Sequence, residues 1–246
     1  MTATRRAPIL LAALVLAAAL GLAALAPRPG DAAPRQAREL GHSQRTPNPT
    51  CVPKPGRCFG YGRVTGFMTK IEGRKNPFVA PSDGRIVAWS VKLGGPPSRK
   101  GNPSDLEFFQ DLFGNERFGK GPGARISILK RVERGKDKGK YRLVRQSPYV
   151  KLNGYFGRRV YVTLETPLRI RKGMIVALTT DTWLVNLVSA NQARNSAWRA
   201  SRTDCSPKGA RTSRPQRKVG TKRRYGCTFG DRLMYWAYFV PDRSGS

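Results

Sequence analysis

The sequence predicts an all-β fold, a jelly-roll-like antiparallel β-sandwich with one or two short helical turns and a disulfide-closed basic loop. Three observations lead there. Apolar residues alternate at period two in several short runs. The runs are separated by turn-forming stretches, with 26 Gly and 19 Pro in 246 residues. Helical spacing is confined to two brief segments, too little to set the class.

Taken from the N-terminus, Arg5 and Arg6 precede an uncharged apolar run over residues 7–26, the layout of a secretory signal. Gly30 and Ala32 supply the small residues a signal peptidase requires, so residues 1–32 are predicted as the signal and the mature chain as secreted or held at the cell surface. A run of this length retained as an anchor is the competing reading; no transmembrane span is expected in the mature chain. Residues 33–49 are Pro, Arg, Gln, Ser and Asn with few apolar side chains, which predicts a flexible basic linker. Residues 50–246 are then a single β-sandwich domain.

Within that domain the turn at 81–84 opens a strand over 84–93, where Val87, Trp89, Val91 and Leu93 share one face. Ile126 and Ile128 lie in phase in 124–132, and the polar turn 134–139 returns the chain into 140–145 as a hairpin. Val160, Val162 and Leu164 point inward from 159–165, and the break at 171–173 precedes further strands at 174–178 and 183–188. Residues 233–240 are apolar throughout, which suits a central strand buried on both faces. Ser104 as cap with Leu106, Phe109 and Phe113 predicts a short helix over 104–113, and 191–200 a second helical turn.

In order, Phe78-Val-Ala-Pro-Ser-Asp-Gly84, Ile86-Val-Ala-Trp89, Ile126-Ser-Ile-Leu129 and the run Pro167 to Leu178 resemble a family of secreted bacterial β-sandwich domains of unknown function. In that family a small-Pro-x-x-Gly turn opens a Trp-bearing strand, and a later Pro-x-x-Val-x-x-Gly-Asp turn opens another. The resemblance covers residues 76–188; Met174 stands where the pattern has Asp after the Gly. It implies export and a jelly-roll-like sandwich, and it brings no catalytic residue.

The four cysteines, Cys51, Cys58, Cys205 and Cys227, all follow the signal, so they are expected to oxidise. Of three pairings, Cys51–Cys58 with Cys205–Cys227 is favoured because each pair flanks one loop. Zinc is the weaker reading: there is no Cys-x-x-Cys, and the sole histidine, His42, sits in the linker. That same isolation of His42 argues against a Ser/His or Cys/His nucleophilic site. No catalytic residue, metal site or cofactor is assigned. The carboxylates left for a carbohydrate-active enzyme are Asp83, Glu107, Asp111, Glu165 and Asp181, and nothing in the sequence brings two of them together. Asp83 reads as a turn residue and Glu165 as a solvent-facing strand position. Asp105, Glu107, Asp111 and Glu116 make an acidic island, read as an internal counter-charge rather than a calcium loop.

The formal net charge is +31, and residues 1–32 hold only three arginines and one aspartate, so an exported chain keeps nearly all of the excess. Between Cys205 and Cys227 lie Lys208, Arg211, Arg214, Arg217, Lys218, Lys222, Arg223 and Arg224, with no acid among them. Closing that loop with a disulfide holds mutually repelling cations together, which predicts an anion-binding finger; a merely solvated loop is the bland alternative. Tyr225, Trp183, Trp198 and Trp236 are candidates for a stacking face, with Trp236 better placed as core. The expected partner is an anionic cell-wall polymer, with extracellular nucleic acid second. A surface protein with no specific ligand, or a carbohydrate-active enzyme, are the alternatives.

Overall fold

Alternating apolar residues form strands only if both the side chains and the backbone polar groups find partners. In the computed structural model, which describes residues 37–49, 60–95 and 121–242, they do so in antiparallel pairs throughout. The described strands are β1 (Arg38–Leu40), β2 (Tyr61–Gly62), β3 (Thr65–Ile71), β4 (Arg74–Lys75), β5 (Gly84–Lys92), β6 (Gly123–Arg131), β7 (Tyr141–Gln146), β8 (Val150–Lys151) and β9 (Arg159–Ile170). They continue with β10 (Ile175–Thr179), β11 (Trp183–Leu184), β12 (Leu187–Val188), β13 (Ala197–Ala200), β14 (Lys222–Arg223), β15 (Cys227–Phe229), β16 (Arg232–Leu233) and β17 (Tyr235–Pro241). One helix, α1 (Pro207–Thr212), lies before β14. No helix among the described residues is long and apolar enough to cross a membrane.

The first sheet runs β1-β17-β5-β9 and the second β14-β7-β6-β10-β3-β13-β15. Eight of these strands, β1, β3, β5, β6, β7, β9, β10 and β17, define the winding. In chain order they lie 1-8-3-6 in the first sheet and 2-7-4-5 in the second, which is a jelly roll. The segment between β10 and β17 is an insertion into that winding. It adds β13 and β15 to one edge of the second sheet and β14 to the other.

The core lies between the sheets. Ile86, Trp89, Val91, Tyr235, Ala237 and Phe239 meet Met68, Ile126, Ile128, Val176 and Leu178. The ring of Tyr235 stacks on Phe78 at 4.1 Å, and its hydroxyl donates to the Val176 carbonyl of the facing sheet at 3.0 Å. Burial shifts the Tyr235 phenol well above its ordinary pKa. β17 is buried on both faces over Tyr235, Trp236 and Ala237, while Tyr238 and Val240 further along are only half-buried.

Four expectations need correction, the first being the strand over 183–188, which is two short strands, β11 paired with β2 and β12 paired with β16. The strand over 84–93 carries a bulge between Ile86 and Ala88, so Ile86 is fully buried and Val87 only half-buried; an extra residue in one strand shifts the phase that alternation assigns. The helical turn expected over 191–200 is confined to its start and is not continued: the Gln192 and Ala193 N–H groups donate to the Ser189 carbonyl, closing a single turn, and the chain then extends as β13 along β3. The proposed linker 33–49 contributes β1, which pairs with β17 in the register Leu40 opposite Ala237, with Leu40 9% exposed. Too few apolar residues surround Leu40 for a pattern to show, yet it is the first strand of the jelly roll. The expected signal at 1–32, the helix at 104–113, the acidic island and the Cys51–Cys58 pair lie outside the described residues.

Candidate functional site

The bond between Cys205 and Cys227 is formed, with Cα atoms 5.4 Å apart. β15 carries Cys227 opposite Ala200 of β13, so one end of the basic loop is tied to the edge of the second sheet. After Cys205 the Asp204 carboxylate accepts from the Ser206 N–H at 2.9 Å, and Ser206 caps α1 by accepting from the Gly209 N–H at 3.2 Å.

The chain then folds onto the outer face of the second sheet. Gln216 is fully buried there: its N–H donates to Thr65 Oγ1 at 3.1 Å, and its side-chain amide donates to the Thr221 carbonyl at 2.7 Å and the Tyr141 carbonyl at 3.2 Å. Its Oε1 accepts from the Tyr225 hydroxyl at 2.9 Å. Beneath it a buried row of hydroxyls crosses three strands, Ser127 to Thr179 at 2.7 Å and Thr179 to Thr65 at 3.0 Å. Gln146 closes the row, donating to Ser127 Oγ and to the Gln216 carbonyl, both at 3.0 Å. Tyr225 packs against Tyr141 and Phe67 with ring centroids 5.0 and 5.5 Å away, and burial raises its phenol well above the ordinary value. A loop bonded this way is a lid on the sheet, not a free finger. Its polar anchors have partners, and its cations are left on the outside.

Four of the eight loop cations line a depression of about 390 Å³. Arg63, Arg214, Arg217, Lys218 and Arg223 surround it with Pro215 and Thr221, and no carboxylate lines it. Arg63 comes from the tight turn between β2 and β3, where its φ is +44°. Its N–H donates to the Thr182 carbonyl and its carbonyl accepts from Ser213 Oγ at 3.1 Å. The turn packs closely, since a Cβ on Gly62 would fall 2.1 Å from the Trp183 ring. Arg217 is braced from outside the depression: its Nε donates to Asp181 at 2.8 Å, and Arg125 holds the other oxygen of that carboxylate at 2.6 Å. Arg223 donates to the Arg214 carbonyl, joining the two flanks of the loop.

Of the eight loop cations expected to act together, Arg214, Arg217, Lys218 and Arg223 are brought into one depression. Lys222 turns away to Asp137, at 2.5 Å, and Lys208 and Arg224 are exposed elsewhere. Arg211 lies in α1, and its side chain is outside the described residues. Nothing local in the sequence marks Arg63 and Asp137 for this site, and Asp181 is expected only as a spare carboxylate, because all three lie far from the loop in the chain. The candidate stacking residues are not open faces. Tyr225 is under the loop, Trp198 is buried between Tyr61 and Phe229, Trp236 is buried beneath Arg159, and Trp183 covers Gly62.

The candidate carboxylates serve separately. Asp83 accepts from the Lys172 N–H at 2.8 Å, Glu165 is exposed on β9 and Asp181 holds two arginines; Glu107 and Asp111 lie outside the described residues. Among the described residues no three His, Cys, Asp or Glu side chains gather as a metal site. A wider cleft of about 1210 Å³ is lined by amides, Arg45, Arg194, Arg232 and Glu72. Glu72 is occupied by the Gln44 and Arg45 N–H groups, at 3.0 and 3.2 Å.

Fold and site together describe a jelly-roll β-sandwich with a disulfide-tied, cation-lined lid on one sheet. No protein-family model, no curated protein and no solved structure matches this chain.

Proposed function

We propose that this chain is an exported, non-catalytic β-sandwich that binds anionic polymers, a cell-wall polymer before nucleic acid, through the lid of its second sheet. The observation that carries the reading is the depression formed by Arg63, Arg214, Arg217, Lys218 and Arg223. Five cations converge without a lining carboxylate, and buried hydrogen bonds hold the backbone that presents them. Preorganised cations lose less freedom on meeting an anion than solvated ones, so the site gains affinity from rigidity as well as from charge. Export is supported by the apolar run behind Arg5 and Arg6 and by the oxidised Cys205–Cys227 pair. The net charge of +31 adds long-range attraction for polyanions.

The test is a salt series of binding to a phosphate-bearing wall polymer. One triple variant combines Arg63→Asn, chosen because Asn tolerates a positive φ, with Arg214→Ser and Lys218→Ser. A second removes three exposed cations elsewhere, Lys75, Arg134 and Lys136. At about 0.7–0.9 per phosphate contact, the first is expected to lower the salt slope by about 2 and the second to leave it nearly unchanged. Equal losses in both would mean that charge acts only through the total.

A further inference from the structure

A second cationic depression, of about 320 Å³, lies where β9, an edge of the first sheet, approaches β7, the strand next to edge strand β14 in the second. Exposed Lys130, Arg142, Arg145, Arg169 and Arg171 line it. Two carboxylates share this depression, and both are engaged. Asp83 accepts from the Lys172 N–H, and Asp242 lies 3.7 Å from Arg85. None of the five cations has an ion-pair partner among the described residues.

The two depressions are joined through strand register. Lys130 of β6, Arg142 of β7 and Lys222 of β14 stand directly opposite one another. Like charges in that position repel across strands only about 4.8 Å apart, and Asp137 relieves Lys222 alone. Packing does not require cations here, since Lys130 and Arg142 are exposed. Arg223, the neighbour of Lys222 in a two-residue edge strand, points to the opposite face and lines the lid depression. A line of cations, with the Asp137 carboxylate bonded at its Lys222 link, therefore runs from one depression round the edge strand β14 into the other, over roughly 15 Å.

We infer that the partner is a flexible, single-chain polyanion that occupies both depressions at once, bending round β14. This rests on the anion-binding reading of the lid. A duplex is excluded by stiffness: DNA with a persistence length of about 50 nm does not turn round the edge of one strand. A single-chain polymer with freely rotating phosphodiester or phosphoanhydride links does.

The experiment measures binding of tripolyphosphate, long-chain polyphosphate and a short DNA duplex by calorimetry at fixed salt. It uses the wild-type protein, a lid variant (Arg214→Ser, Lys218→Ser) and an edge variant (Arg145→Ser, Arg169→Ser, Arg171→Ser). All five positions are exposed, so each variant is expected to fold, as circular dichroism verifies. Long-chain polyphosphate should bind the wild type about tenfold or more tighter than tripolyphosphate, because the second contact is intramolecular. The edge variant should lose that gain and take up tripolyphosphate at the lid depression alone, with one fewer site than the wild type, and the lid variant should weaken on both. If the gain survives in the edge variant, the two-depression path is wrong and the lid reading stands. If neither polyphosphate binds the wild type, the lid reading fails with it. If the duplex loses as much affinity on the edge variant as polyphosphate does, the flexible-chain inference is overturned.

Discussion

Lys222 of the basic loop donates to Asp137 in the turn of the β6–β7 hairpin, at 2.5 Å. Lys140 holds the other carboxylate oxygen at 2.7 Å. The two lysine hydrogen bonds lower the Asp137 pKa from 3.8 to about 2. A carboxyl whose folded pKa is depressed stabilises the fold at pH values above its unfolded pKa, and that contribution is lost as pH falls from about 4 through about 2. Carbon-detected NMR titration should therefore find the Asp137 carboxyl ionised well below its ordinary range, and Asp137→Asn should remove this part of the acid dependence. A midpoint near 3.8 would show that β14 is not fastened this way.

Trp89 has no exposed surface and faces Ala237 and Val162 on the two neighbouring strands. Trp89→Ala is expected to cost about 3–5 kcal/mol in urea unfolding, the range for truncating a buried aromatic. A loss under about 1 kcal/mol would place Trp89 outside the core.

Leu40 tests whether the N-terminal segment belongs to the fold. Opposite Ala237 and 9% exposed, it should cost about 2 kcal/mol on truncation to Ala, the low end for buried leucine because β1 is an edge strand. A flexible linker would give a change close to zero in the same unfolding measurement.

The Cys205–Cys227 bond closes a loop with a sequence separation of 22. The double variant Cys205→Ala, Cys227→Ala is expected to lose about 3 kcal/mol through greater freedom of the unfolded chain. Calorimetric unfolding of this variant beside the wild type, both without reductant, reads that difference. An unchanged transition would mean that Gln216 and Tyr225 hold the lid unaided.

Much of the sandwich was legible because a strand with one buried face writes its phase into consecutive residues. Ile126 and Ile128, and the unbroken run ending in Val240, are of this kind. Val87 was misplaced because a bulge inserts one residue without changing the composition around it. β1 was missed because three residues paired to one neighbour carry too few side chains to show a period. In the site, Arg214, Arg217, Lys218 and Arg223 were legible as a charge cluster inside a cysteine pair. Arg63 and Asp181 were not, because nothing local marks them.

By itself the sequence determined the class of the fold and the density of positive charge between Cys205 and Cys227, and it favoured their pairing among three. Each follows from local chemistry: side-chain period, cysteine spacing and the charges of neighbouring residues. Tertiary structure alone decided that β1 begins the jelly roll, that Gln216 and Tyr225 seal the basic loop onto the second sheet, and that Lys130, Arg142 and Lys222 fall in one line. Those outcomes depend on strand order and register, which couple residues distant in the chain, and charge or hydropathy read along the chain does not carry that coupling.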